Sequence, residues 1–403
     1  MKPVSRAGSE APRPNDVAPP AGDTDAQSPH GEARLAAHIA AEIDKAGGWI
    51  SFSRYMELAL YAPGMGYYAA DDRQFGAAGD FVTAPELGGG FAAALAVQVA
   101  ELMAHSASSV IEAGAGSGRL AADMLRELER LGALPTRYAI LDLSASLRAR
   151  QRATLAATVP HLLDRVCWLD HLPATFDGVV LGNEVLDAMP VSLVDWCEDG
   201  IYERGVVRAG DCLAFEARPA SSPLRERAEA LQAECAIAAP YTSEIALAAP
   251  AWVATWGDIL GRGALLLIDY GFAQGEFYHP QRNGGTLMCH RRHRASDTPL
   301  EVPGRQDITA HVDFTAIAES ASAAGLSLLG YTTQASFLLN CGLTEWLAQA
   351  QASDPAAWPK LAGAAQQLLS PAEMGELFKV IALGRGLAGP LRGFRQNDRA
   401  ARL

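Results

Sequence analysis

The chain has 403 residues, 49% hydrophobic and 20% charged, with a formal net charge of −13. That length buries a sizeable core in one large or two ordinary domains, and the acidic balance excludes a general nucleic-acid binder, whose surface needs clustered Lys and Arg. Its six cysteines form no CxxC pair, which argues against a disulfide framework or zinc ribbon and for a reducing, cytoplasmic setting.

Residues 1–30 are rich in Ala, Pro, Ser and Asp and read as a disordered tail. Residues 31–108 read as a helical, lid-like region. Leu35, Ile39 and Ile43 recur at helical spacing until Gly47-Gly48, and a second helix is expected over Phe52–Leu60. A turn-rich aromatic segment, Tyr61 to Tyr68, precedes Gly79-Asp80-Phe81-Val82-Thr83-Ala84-Pro85-Glu86. There Thr83 reads as a helix cap with Glu86 three residues on, opening a helix over 87–105.

From Ser109 the pattern alternates. Strand Val110–Ile111, helix Leu120–Leu131, strand Tyr138–Leu143, helix Leu147–Thr158, strand Val166–Leu169 and strand Gly178–Gly182 follow in turn. This spacing predicts an α/β fold with a mostly parallel, Rossmann-like sheet and helices on both faces, and such sheets bind ligands at strand C-terminal ends. An inserted β-meander over 192–217 breaks the rhythm, and helices are expected at 224–239 and about 244–260. A buried strand, Gly263 to Gly271, ends in an acid and a glycine. A second insertion, 272–312, reads as too polar and Gly/Pro-rich for core. Helix Phe314–Ala324, strand Ser327–Tyr331, helices across 334–370 and strand Phe378–Leu383 lead to a C-terminal tail, 389–403. The reading sets residues 109–388 as one domain with insertions 192–240 and 272–312. No run is long and apolar enough for a membrane span.

Chemistry concentrates at the ends of the strands. Val110-Ile111 feeds Glu112-Ala113-Gly114-Ala115-Gly116-Ser117-Gly118, a glycine turn opening a helix, where main chain and helix dipole receive an anionic or polar ligand. The dinucleotide fingerprint would need glycine where Arg119 stands. The spacing resembles motif I of class I S-adenosylmethionine (SAM) methyltransferases, with Glu112 as the acid before the glycines. Asp142, with Leu143 beside it, ends the second strand, where a carboxylate can accept both ribose hydroxyls; capping of the next helix is the alternative, which Ser144 could serve. Asp170 ends the third strand, at the place of an adenine contact or of a plain cap.

Asn183-Glu184-Val185-Leu186-Asp187 follows the fourth strand. Glu184 and Asp187, three apart on a helical turn, could face one pocket and hold a guanidinium bidentately, or could simply complement a helix dipole. Cys289-His290-Arg291-Arg292-His293-Arg294 is a basic cluster in an acidic chain, read as a contact for substrate or an acidic partner; no metal is expected. Asp307 and His311, four apart on an expected helix, could orient a substrate or cap the helix that follows.

Several segments together resemble the MidA-like SAM-dependent methyltransferases, relatives of the mitochondrial complex I assembly methyltransferase. They are the 79–86 loop, the Glu112–Gly118 turn, Gly182 to Asp187, Leu267-Ile268-Asp269-Tyr270-Gly271, Tyr278 to Arg282, Asp307 to Phe314 and Pro371 to Phe378. The resemblance implies a class I methyltransferase fold with SAM as cofactor, S-adenosylhomocysteine as product, and a protein arginine, on a respiratory-complex subunit, as acceptor. It assigns Thr83, Pro85, Glu112, Gly114, Gly116, Gly118, Asp142, Leu143, Asp170 and Asn183 to the cofactor. Glu184 and Asp187 go to catalysis, and His290, Asp307 and His311 to the substrate. Asp142 stands where the family pattern leads one to expect Glu. The partner expected is a protein substrate, with no nucleic acid and no membrane span; a homodimer is left open. A small-molecule methyltransferase and a SAM-binding assembly factor with little turnover are the rival readings.

Overall fold

The computed structural model describes residues 29–69, 83–210, 212–292 and 294–403. Residues 1–28 of the tail expected over 1–30, Gly79–Val82 and His293 lie outside them, while Pro29 and His30 already belong to helix Pro29–Lys45. A central sheet runs through β1 (Ser109–Ala113), β2 (Arg137–Leu141), β3 (Val166–Leu169), β4 (Phe176–Asn183), β5 (Leu260–Phe272), β6 (Ser327–Thr333) and β7 (Phe378–Arg385). Their spatial order is β3-β2-β1-β4-β5-β7-β6. The first five pair in parallel, and β7 runs antiparallel to both its neighbours. The chain leaves β1 towards one edge and returns to β4 on its other side, so β1 and β4 flank the switch in strand order where ligands settle.

Apolar clusters cover both faces of the sheet. On one, Phe91, Leu95 and Val99 of helix Gly89–His105 and Leu120, Met124 and Leu128 of helix Arg119–Arg130 pack against Val110, Val179 and Leu266. On the other, Trp256 of helix Ala248–Ile259 and Phe314 and Ile317 of helix Phe314–Ala323 meet Ile111, Val180 and Leu265. The C-terminal segment docks through buried Leu391 and Phe394.

The meander is present as strands Val191–Cys197, Gly200–Ala209 and Cys212–Pro219. Tyr241–Ala246, which the sequence assigns in part to a helix, is instead a strand paired with Val191–Cys197. Its alternation of Tyr241, Ser243 and Ile245 suits a pleat, and the helix begins only at Ala248. The short strand Ile50–Ser51 joins the same sheet, tying the N-terminal helices Pro29–Lys45 and Phe52–Tyr61 to the meander.

Two further expectations are corrected in residues 272–312. The segment is not too polar for core: Phe277, Tyr278, Cys289 and Ile308 are buried. The expected helix carrying Asp307 and His311 is a strand, Asp307–Thr309, antiparallel to Met288–Arg291. Strand alternation turns Cys289 and Ile308 into the cluster formed with Leu35, Ile39 and Tyr55 and leaves His290 and Asp307 together on the opposite face. Among the described residues no helix is long and apolar enough to cross a membrane.

Candidate functional site

The glycine turn leaves β1 with Gly114, Gly116 and Gly118 at φ of 65°, 50° and 80°, values that residues with a Cβ avoid. Gly118 caps helix Arg119–Arg130, and a Cβ there would lie 2.9 Å from Gln151 Cα. Around Gly116 a Cβ would meet no protein atom within 4 Å, so the loop has open space on that side. The turn is braced from several elements. Thr154 Oγ1 donates to the Ser117 carbonyl (2.8 Å). Gln151 Nε2 donates to the Gly116 carbonyl (3.2 Å) and to Asp142 Oδ2 (2.7 Å).

Asp142 follows β2 and does not cap the next helix. Ser144 does, its Oγ accepting from Leu147 N, while Asp142 Oδ1 accepts from Ser144 N. Leu143 is 85% exposed, an apolar side chain left in the open at a strand C-terminus beside the glycine turn. Asp170, by contrast, is on the surface, its side chain 77% exposed and paired with Arg148 at 2.7 Å. Glu112 sits below the turn and accepts from Tyr138 Oη at 2.8 Å. Burial pushes its carboxyl up to about 7, against that hydrogen bond.

Glu112 therefore keeps its proton in the fold over a range where the unfolded chain loses it. The stability it contributes is full below about pH 4.5 and falls as pH rises to about 7, by roughly 3 kcal/mol in all. Glu112→Gln, which still accepts from Tyr138, is expected to melt progressively above the wild type from pH 5 to pH 8. Thermal unfolding across that range checks this.

Thr83 begins the short helix Ala84–Leu87, with Pro85 in its first turn, but its side chain makes no capping bond. Glu86 is not a capping-box partner: its Oε1 accepts from Ser117 Oγ at 2.5 Å, so the helix is fastened to the glycine turn.

Beyond β4 the expected helical turn at Glu184–Asp187 is absent. Glu184 has φ of 52°, and Val185, Leu186 and Asp187 direct their N–H groups at Asp269 Oδ2 (3.1, 2.9 and 3.3 Å). The dipole-complementing alternative for the two acids falls with the helix. The carboxyls are nevertheless brought together. Burial first, then Asp187, pushes Glu184 up to about 8; Asp307 adds to this, while hydrogen bonds from Asn183 and the Ala84 N–H oppose it. Burial pushes Asp187 up to about 6 against a hydrogen bond from Tyr270. Asn183 Nδ2 donates to Glu184 Oε1 (2.9 Å), and Asn183 Oδ1 and Asp187 Oδ1 are buried without a protein partner. Buried polar atoms left in that state mark a place where another molecule can supply the donor.

Two tyrosines border these buried acids. Tyr61 Oη donates to the Ala188 carbonyl (2.9 Å), Tyr68 Oη donates to Asp307 Oδ1 (2.8 Å), and the two rings stack at 5.5 Å. Burial and the neighbouring carboxyls, Asp307 first, push both phenols up. His290 lies opposite Asp307 in register. His311 does not border the acids in the same way: its ring stacks on Phe272 (5.3 Å) and meets Tyr270 edge-on (5.0 Å), so its link to them runs through Tyr270. Among the described residues no three His, Cys, Asp or Glu side chains form a metal site.

Sequence reasoning missed Asp269, Gln151 and the tyrosines. The signal for Asp269 was an acid ending an otherwise apolar buried strand; Tyr61 and Tyr68 carried none beyond an aromatic turn.

A family described as S-adenosyl-L-methionine-dependent methyltransferases matches residues 93–332. The mouse protein arginine methyltransferase NDUFAF7, mitochondrial, is 31% identical over 84% of this chain and 82% of its own. The human protein of that name is 28% identical over 84% and 81%. A crystal structure of a COG1565 superfamily member from Burkholderia thailandensis, bound to S-adenosyl-homocysteine, is 51% identical with a TM-score of 0.89. It covers 93% of this chain and 99% of that one. The cytoplasmic placement expected from the sequence is corrected by the mouse and human relatives, which are named as mitochondrial.

Proposed function

The chain belongs to this family of SAM-dependent methyltransferases, with SAM as its cofactor, and from that premise we propose that it methylates an arginine side chain of a protein. The observation that carries the reading is the buried acidic cluster beyond β4, where Glu184, Asp187 and Asp307 lie close together beside Asn183 Oδ1 and Asp187 Oδ1, which lack a protein partner. A guanidinium presents several N–H donors in a plane and matches such a set of oxygens. The names of the mouse and human relatives support the same acceptor, and a respiratory-complex subunit is the target carried over from the resemblance.

In this reading the open side of the glycine turn at Gly116 and the half-buried Asp142 hold the cofactor, with Leu143 against its base and Thr83 and Pro85 over it. The cofactor supplies a methyl group on a sulfonium, open to in-line displacement. Glu184 and Asp187 accept N–H groups of the guanidinium and fix one nitrogen towards the methyl carbon. That nitrogen must lose a proton as it is alkylated, and a carboxylate with a raised proton affinity takes it. Tyr61 and Tyr68 narrow the site to a planar group. Asp170 has no part in this assignment, since it is turned to Arg148.

The test is incubation of purified protein with labelled SAM and a lysate of a strain lacking it, followed by mass spectrometry. Label on an arginine side chain of a protein is expected. Label on lysine, on an acidic side chain or on a small molecule would replace this reading with the corresponding one.

A further inference from the structure

Strand β4 ends at Asn183, and the chain turns at Glu184 through a left-handed conformation, φ 52°, that residues with a Cβ avoid. Glu184 N still donates to Ile268 O of β5 (2.9 Å). The next three N–H groups then converge on a single oxygen, Asp269 Oδ2, while Oδ1 accepts from Tyr270 N (2.9 Å). Successive backbone N–H groups that converge on one acceptor form a nest, and here the acceptor oxygen comes from the neighbouring strand. Asp269 is fully buried, beside two other acids, an arrangement that costs stability and that an apolar strand end would avoid. Two further ties hold the same loop: Ala310 N donates to the Asp187 carbonyl (3.0 Å) and Tyr61 Oη to the Ala188 carbonyl.

We propose that Asp269 is a positioning residue for methyl transfer, its carboxyl oxygen filling the backbone nest of residues 185–187 and so holding the strained turn that presents Glu184 and Asp187 to the acceptor. The inference rests on the reading that this pair faces the acceptor. The charged and titratable groups around Asp269 are Glu184 and Asp187 beyond β4 and Tyr270 on β5, with Asp307, Tyr61 and Tyr68 beside that pair. Lys379, opposite in register on β7, turns its ammonium to the carbonyls of Glu376 and Leu377. Burial first, then Asp187 and Glu184, pushes the Asp269 carboxyl well up, against the N–H groups of Leu186 and Tyr270.

The test is Asp269→Asn, which keeps the shape and replaces one of the two accepting oxygens with a donor. Methyl transfer from labelled SAM into the lysate is expected to fall roughly 10- to 100-fold. The loss falls on kcat, while KM for SAM and SAM affinity by calorimetry stay within about threefold. A wild-type rate, or a fall in SAM affinity as large as the fall in rate, overturns the proposal. Should the variant not fold, or should the wild type transfer nothing, amide exchange of the wild-type protein decides: N–H groups of 185–187 as slow as those of β4 support it, and loop-like exchange overturns it. The identity of the labelled residue in the wild type reports separately on the arginine reading, whichever way the variant ratio falls.

Discussion

Replacing Glu184 with Gln is expected to slow methyl transfer by roughly two to three orders of magnitude while leaving SAM affinity nearly unchanged. The asymmetry follows from the protonation of the free site. Burial and Asp187 push Glu184 up to about 8, so near neutral pH the free protein mostly holds it as the neutral acid, which glutamine resembles. The sulfonium of SAM draws off part of that proton and a cationic acceptor the rest, so that the wild-type residue pairs with the acceptor as a carboxylate, which glutamine cannot do. The same reasoning fixes the pH dependence. An acid with a raised proton affinity must lose its proton before it can act, so wild-type kcat/KM rises with pH and levels off above about 8. In Glu184→Gln the limb that remains belongs to Asp187, pushed up only to about 6. Glu184→Gly separates strain from chemistry: relief of φ 52° is expected to raise Tm, with transfer lost. A Glu184→Gln enzyme of wild-type rate would remove this residue from the mechanism.

Gly118→Val is expected to abolish measurable SAM binding and to lower Tm, whereas Gly116→Ala is expected to weaken binding with a much smaller change in Tm. Both glycines hold left-handed backbone, at 80° and 50°, where a Cβ costs about 1–2 kcal/mol. Their surroundings differ. A side chain at Gly118 runs into Gln151 Cα at 2.9 Å, on the helix whose Gln151 and Thr154 brace the turn. Relief requires the turn to move, adding roughly 1–3 kcal/mol of overpacking. A methyl at Gly116 meets no protein atom, so any loss of affinity there beyond the backbone cost is a collision with the cofactor itself. Calorimetric titration and thermal melting of the two variants check the contrast. Equal affinity in Gly116→Ala and wild type would put the cofactor off this side of the loop.

The alternation of short apolar runs with helical periods made the central sheet legible, because its inner parallel strands, Ser109–Ala113 and Leu260–Phe272 above all, are buried on both faces and carry apolar stretches. The glycine turn was legible for a local reason: φ is positive at residues 114, 116 and 118, and glycine fills such positions. What sequence reasoning lost depended on partners far along the chain. Tyr241–Ala246 became a strand because Val191–Cys197 offers it an edge. Asp307 lies in a strand because Met288–Arg291 pairs with it. Glu184 and Asp187 were found as a pair, but their geometry was misjudged, since a carboxyl 82 residues from Asp187 replaces the helical hydrogen bonds the local pattern suggested.

The central claim is that the cofactor's charged sulfur lies beside the acidic pair. The most direct measurement is calorimetry of SAM and of S-adenosylhomocysteine near neutral pH in buffers of different ionisation enthalpy. SAM carries a positive sulfonium and its product does not. A cation placed next to Glu184 lowers that carboxyl from about 8, so SAM is expected to release a sizeable fraction of a proton on binding and the product clearly less, with the difference absent in Glu184→Gln. Identical proton release for the two ligands in the wild-type protein would contradict the account.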